Sequence, residues 1–426
     1  MIIYLSCGLL VLLALSIPVG IVLFLLGLGI DAFFSPFPLI RGMGQVLWSS
    51  SNSSTLIAIP FFVLLGEILL RSGIAQRTYA ALDAWLSWLP GGLIHANIGT
   101  ATMFAATSGS SVATAATVAT VAMPQADRLN YDPRLFSGAI AAGGTLGILI
   151  PPSINLIVYG FLTETSIPQL FLAGLLPGLL LALLFMLITA LLCHWRPQLG
   201  GPGRHSSWAE KRDGLVQLIP IALLFTAIVG SIYAGWATPT EAAAFGVANA
   251  FVIAAFNGGI NLTMLIDSLR GTVRITAMIM LVVTGAYFLN FTLTAAGLGN
   301  ALRDFMDGLG LSPTGTILAI VALYIVLGFF IETLSLMVAT IPIIVPIVAG
   351  LGYDKVWFGV LMILLVEMAL ITPPVGLNLY VVQGVRKNGS ITDVMVGCIP
   401  YVLVMLLMVA ALIILPDLAL FLPHHL

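Results

Sequence analysis

Two apolar stretches of this chain carry a Pro-Pro pair where a membrane helix needs its own backbone hydrogen bonds. They are GGTLGILIPPSINLIVYG at 143–160 and EMALITPPVGLNLYVV at 367–382. No water reaches the hydrocarbon core, so backbone groups left open there must be satisfied by protein or line a cavity. Each stretch is preceded by an apolar run opened by polar residues: SGSSVATAATVATVAMPQ from Ser108, and ETLSLMVATIPIIVPI from Glu332. Pro373–Pro374 follow Pro151–Pro152 by 222 positions, and Pro346 follows Pro124 by the same 222. Gly73 with Gly297 and Pro90 with Pro313 keep that offset within two residues, so the repeat involves whole halves. Paired interruptions at matching places in two halves point to the binding site of a secondary transporter.

Composition supports a bilayer setting. The 426 residues are 60% hydrophobic and 8% charged, with a mean hydropathy of +1.13, whereas a soluble domain carries about 25% charged residues. The length supplies roughly ten spans of ~20 residues. A net charge of −2 excludes nucleic acid as a partner, because such binding needs a basic face. Cys7, Cys193 and Cys398 stand singly, without metal or disulfide spacing. The N-terminal apolar run lacks a basic leader and is too long for a signal peptide, so it reads as a retained helix. No HExxH, GxSxG or P-loop occurs, which leaves an intramembrane enzyme or an ATP-driven pump unsupported.

In chain order, residues 2–30 read as a first span with a kink at Pro18 and Gly20, and 31–55 as a polar connection. A second span covers 56–71. Residues 74–88, with Arg77, Asp83 and two Trp, read as an amphipathic helix in the interface plane. Residues 91–107 and 112–124 flank the SGSS cluster. At about 1.5 Å per residue neither limb crosses a ~30 Å core, so a re-entrant hairpin is expected. A broken span at 136–162 follows, then spans at 169–195, 215–234 and 241–257. The pattern restarts with a span at 275–296, an amphipathic stretch at 298–310 and a hairpin at 314–349 with its tip near 331–335. A broken span at 357–385 and a last span at 394–415 complete it. Tracing alternate crossings with loop 196–214 in the cytoplasm puts twelve of the 15 Lys and Arg inside, leaving Arg41, Arg303 and Lys355 outside. That is the positive-inside bias. The same trace inserts the halves with opposite topology and puts the N-terminus inside. The expected fold class is an all-α polytopic membrane protein with inverted repeats, two re-entrant hairpins and two broken helices.

Each proline removes the N–H that would bond the carbonyl four residues earlier. Pro151 and Pro152 thus free Gly147 and Ile148, and Pro373 and Pro374 free Ala369 and Leu370. Gly143, Gly144 and Gly147 allow close backbone approach, and the hydroxyls of Ser108, Ser110 and Ser111 are expected opposite them. Thr333, Ser335 and Thr372 take that part in the second half, with Asn378 beyond. Freed carbonyls and hydroxyls without obligatory charge are the ligand set of a Na⁺ site; close packing of small residues around plain kinks is the structural alternative. Neither break has a Lys or Arg beside it, so an anionic substrate would meet helix dipoles, hydroxyls and bound cations. Gly109, Ser111, Ser153, Ser335 and Asn378 are the candidates for the substrate pocket.

Among the acids, Glu67 stands four before Arg71 and suits a local helix pair. Thr238-Pro239-Thr240-Glu241 is a capping box. Glu332 and Glu367 are intramembrane carboxylates beside the second tip and break, open to a cation or gating role or to a hydrogen-bonded strut. His95 reads as a satisfied core residue.

The motifs SGSSVATAATVATVAMPQ, GGTLGILIPPSI, GWATPTEAAAFG and ITPPVGLNLY, in this order, resemble the large membrane (DctM-type) subunit of a TRAP, or tripartite ATP-independent periplasmic, transporter over nearly the full length. The resemblance implies a Na⁺-driven uptake system of the bacterial inner membrane. There a periplasmic substrate-binding protein (DctP-type) delivers an organic acid: a C4-dicarboxylate, sialic acid or a related carboxylate. A small four-helix membrane subunit (DctQ-type) is the further partner. It also implies an elevator-type mechanism, with scaffold in 1–90, 163–312 and the C-terminal span of 386–426, and a transport domain in 91–162 and 313–385. About two Na⁺ sites are implied. By motif, Ser108, Ser110, Gly147, Ile150 and Pro152 resemble the first. By internal symmetry, Glu332, Thr333, Ala369, Thr372 and Pro374 resemble the second. A stand-alone Na⁺- or H⁺-coupled organic-anion carrier of the divalent-anion elevator type is the alternative.

Overall fold

The computed structural model describes the chain except residues 36, 130, 202–205, 300–309, 387–388 and 426, and, within helices, the side chains of 2, 3, 106–108 and 127. Among the described residues all regular structure is helical. Among the described residues, seven helices are long and apolar enough to cross a membrane, or eight if the pair bent by 40° at 150–153 counts as one span.

The N-terminus departs from the single kinked span expected at 2–30. Ser16 takes φ 58 and Pro18 precedes a new helix, so α1 (Ile2–Ala14) and α2 (Val19–Phe34) are separate. Tyr4 makes ring contacts with Phe33 and Phe34, and Gly8 faces Leu26. The two helices therefore fold back as an antiparallel pair, with Met1 at the same end as Phe34. The connection expected at 31–55 also contains a helix, α3 (Met43–Ser51).

A frame follows from α4 (Ser54–Arg71), α5 (Ile74–Leu86), α11 (Trp208–Tyr233), α12 (Pro239–Phe256) and α13 (Leu262–Ala295). Here α2 and α4 pack on α13, α12 on α4, and α11 on α5. α13 starts well before the span expected at 275–296, because the Asn261 side chain accepts from the Met264 N–H and caps it early. Glu67 pairs with Arg71 inside α4, and the Thr238–Glu241 capping box forms at the start of α12. Most of the amphipathic stretch 298–310 lies outside the described residues.

The two repeats supply matching units. In the first, α6 (Leu93–Ser108) and α7 (Ser111–Leu129) form the hairpin, and α8 (Pro133–Leu149) and α9 (Ile154–Thr163) the broken helix. Their counterparts are α14 (Pro313–Gly328), α15 (Thr333–Gly350), α16 (Lys355–Ala369) and α17 (Leu377–Val385). Each hairpin packs against the broken helix of its own half and also reaches the other: α7 lies on α17, and α15 on α9. α10 (Ile167–Trp195) and α18 (Ile391–Ile414) both flank α8 and α16, and α19 (Asp417–His425) closes against α10. α8 and α16 are buried along nearly their whole length, so the centre of the molecule is the pair of broken helices.

Candidate functional site

At the first tip, Gly109 ends α6 with φ 57, a conformation glycine adopts at little cost. Its α-carbon faces Ile154, the first residue of α9: a Cβ there would lie 3.2 Å from Ile154 Cγ1. Ser110 follows, its hydroxyl accepting from the Ala113 N–H at 3.4 Å. A Cβ at Gly147 would lie 3.0 Å from the Ser110 carbonyl oxygen and 2.9 Å from Thr114 Oγ1. Tip and break therefore meet: the Ser110 carbonyl, which accepts from the Thr114 N–H at 3.0 Å, and the Thr114 hydroxyl pack against the α-carbon of Gly147, a residue whose carbonyl loses its helical N–H partner at Pro151. That donor set is neutral and oxygen-rich, which fits a small hard cation. Among the described residues no group of three His, Cys, Asp or Glu gathers anywhere. Ile150 points its side chain away, against Gly178 of α10. Pro152 is buried beside Pro151 in a cis peptide pair. Ser153 is buried and caps α9, accepting from the Leu156 N–H at 3.3 Å. The Ser108 side chain is outside the described residues.

The second tip is built differently. Glu332 caps α15, its carboxylate accepting from the N–H groups of Leu334 at 3.0 Å and Ser335 at 2.9 Å. The Thr333 hydroxyl donates to the same carboxylate at 3.2 Å. At the second break, the Thr372 hydroxyl donates to the Met368 carbonyl at 2.6 Å. Of the two carbonyls expected to be free, Leu370 is reclaimed by the Asn378 N–H at 3.1 Å. Ala369 receives a long bond, 3.4 Å, from the Thr372 N–H, and its side chain lies against Gly328 of α14. Pro374 is exposed.

Ser111 and Asn378, both candidates for the substrate pocket, each bond a group of the opposite half. Ser111 does not offer its hydroxyl to the first break; it donates to Glu367 of α16. Asn378 Nδ2 donates to the Ala141 carbonyl of α8 at 3.2 Å. Ser111 and Asn378 converge on Gly144, where a Cβ would be 3.0 Å from the Ser111 carbonyl and 3.0 Å from Asn378 Nδ2. A third link lies further out, where the Tyr159 hydroxyl donates to the Lys355 carbonyl at 2.7 Å and Lys355 Nζ to the Thr163 carbonyl at 3.2 Å. Sequence reasoning missed Thr114 and Ala141; Thr114 lies one turn beyond Ser110 on the same helix face, a signal that was available. His95 is buried, its Nε2 2.8 Å from the Pro90 carbonyl. A separate cleft of about 780 Å³ lies where frame and core meet, lined by Ser53, Ser54, Glu164, Thr238, Glu241 and Tyr287. Neither tip borders it.

An all-helical, multi-pass membrane fold with two interlocked hairpin and broken-helix units defines a membrane transporter. The chain matches the family described as "Tripartite ATP-independent periplasmic transporter, DctM component" over residues 6–418, and it belongs to that family. It is 34% identical over 399 residues to the C4-dicarboxylate TRAP transporter large permease protein DctM of Pseudomonas aeruginosa, covering 92% of this chain and 91% of that one. It is 31% identical to the sialic acid TRAP transporter large permease protein SiaM of Vibrio cholerae, covering 90% of each. These relatives are transport permeases, not enzymes. Among solved structures, the Alcanivorax borkumensis YdaH transporter shares the fold with a TM-score of 0.64 at 16% identity, covering 93% of this chain and 96% of that one.

Proposed function

We propose that this chain is the transport subunit of a Na⁺-coupled secondary transporter of the bacterial inner membrane. It imports an organic acid delivered by a DctP-type periplasmic binding protein and works with a DctQ-type four-helix subunit. The observation that carries the coupling is the first tip and break: Ser110 and Thr114 oxygen atoms stand against Gly147, whose carbonyl has lost its partner to Pro151. The second tip and break, with Thr333, Ala369 and Thr372, are the candidate second site. Na⁺ there would supply positive charge for a carboxylate substrate, in a region without Lys or Arg beside either break. The interlocked halves support movement of the core as one body in an elevator cycle, and the cleft of about 780 Å³ on the seam with the frame supports a boundary at which the two could slide.

The test is uptake by proteoliposomes holding this chain, its small subunit and its binding protein. Uptake should require an inward Na⁺ gradient and the binding protein, and should fall at least tenfold when Gly147 is replaced by Val, as expected for a misplaced backbone ligand. Uptake driven by a proton gradient alone would overturn the Na⁺ coupling. Full activity of the chain by itself would favour the stand-alone carrier.

A further inference from the structure

We infer that the hydrogen bond from Ser111 to Glu367 links the two tip-and-break sites, so that occupation of one favours occupation of the other. Glu367 is therefore a positioning residue that acts through Ser111. This rests on the Na⁺ reading above.

Ser111 is 1% exposed and opens α7 directly after Ser110; Glu367 is 1% exposed and stands two residues before Ala369 in the last turn of α16. The bond between them spans 256 positions of sequence and joins the tip of one half to the break of the other. Glu367 Oε1 has no partner among the described residues, so Ser111 is the group that holds this carboxyl. A buried polar group tied at one point takes the orientation its partner dictates, because leaving the bond unmade is costly. Asn378 reinforces the arrangement from the far side of the second break. It bonds the Leu370 carbonyl through its N–H at 3.1 Å and the Ala141 carbonyl through its side chain at 3.2 Å. A cation that orders the Ser110–Gly147 contact thus orders Ser111, and through Glu367 the carbonyl end of α16. The second cation then binds to a break whose ordering cost has already been met, which is positive coupling without a large change of shape.

The experiment is a Na⁺ titration of the purified full-length chain in nanodiscs, read by Na⁺-dependent thermal stabilisation, with Li⁺ and choline as controls. The wild type should give a Hill coefficient near 2. Ser111→Ala should lower it toward 1 and raise the half-saturating Na⁺ concentration about three- to tenfold, the range for one buried hydrogen bond. Glu367→Gln, which keeps an acceptor for Ser111, should retain the wild-type Hill coefficient with half-saturation within about twofold. Size-exclusion profiles establish that both variants are folded, and Ser111→Gly, which also removes the hydroxyl, serves in place of Ser111→Ala should that variant not fold. An unchanged Hill coefficient in Ser111→Ala, or a wild-type coefficient of 1, overturns the coupling while leaving Na⁺ binding intact. A large affinity loss in Glu367→Gln with the Hill coefficient retained would make Glu367 a cation ligand and overturn the positioning role. No response to Na⁺ at all would remove the reading on which the coupling rests.

Discussion

The two breaks share a cis Pro-Pro pair but stand in opposite surroundings. Ile150, Pro151, Pro152 and Ser153 are all buried. In the longer second break Pro373, Pro374 and Val375 are exposed, Val375 at 42%, as are Phe330 and Glu332 at the neighbouring tip. The difference traces to the flanking helices. Gly174 and Gly178 let α10 lie directly on the first break: a Cβ would stand 2.7 Å from the Leu149 carbonyl at one position and 2.7 Å from Ile150 Cγ1 at the other. The repeat-equivalent positions on α18 are Val396 and Pro400, and Val396 is exposed at 42%. The interruption is repeated while its cover is not. Open backbone at membrane depth must face water or protein, so the second break is the one available to the medium or to a partner in this conformation.

Overfilling the seal should have the largest effect. Gly174→Leu places a side chain against the Leu149 carbonyl, and is expected to cost at least about 1–3 kcal/mol, lower the unfolding temperature and abolish uptake. Val396→Leu, the matching change on α18, should stay within about 0.5 kcal/mol. Equal effects in a thermal-shift assay would show that α10 is not what distinguishes the breaks. Accessibility sharpens the comparison at an intermediate scale. With Cys7, Cys193 and Cys398 replaced, a cysteine at Val375 should react with a membrane-impermeant maleimide at least about tenfold faster than one at Ser153, since thiol reactivity follows exposure. Comparable rates would mean that both breaks open. The smallest effect concerns the caps. Ser153→Ala removes the side-chain cap of α9 and should cost about 1 kcal/mol, a loss with no counterpart at the second break, where Gly376 precedes α17 without a side-chain cap. A stability unchanged by Ser153→Ala would place the control of α9 elsewhere.

Most of the element map was legible in the chain. Both hairpins, both breaks, the arm helix at 74–86 and the spans α10 and α12 fall within a few residues of where hydropathy and proline placed them, while α11 begins seven residues before the span expected at 215–234, capped early by Ser207. Those signals are local, set by hydrogen bonds four residues apart and by the length of apolar runs. The N-terminus was misread because a proline after a polar residue permits a kink or a full reversal, and only the ring contacts of Tyr4 with Phe33 and Phe34 distinguish them. At the candidate site the sequence placed Ser110 beside Gly147, and the two meet; it did not foresee that Ser111 and Asn378 bond groups of the opposite half, or that Glu332 caps its own helix.

What the sequence determined by itself is the membrane setting, the doubled architecture and the helix donors removed at each Pro-Pro pair, since a missing N–H and an apolar run act wherever they stand. The tertiary structure alone decided which oxygen each hydroxyl reaches and which break is sealed. Those outcomes join residues 256 and 237 positions apart, or depend on two glycines of a flanking helix, and so they exist only once the two halves have closed on each other.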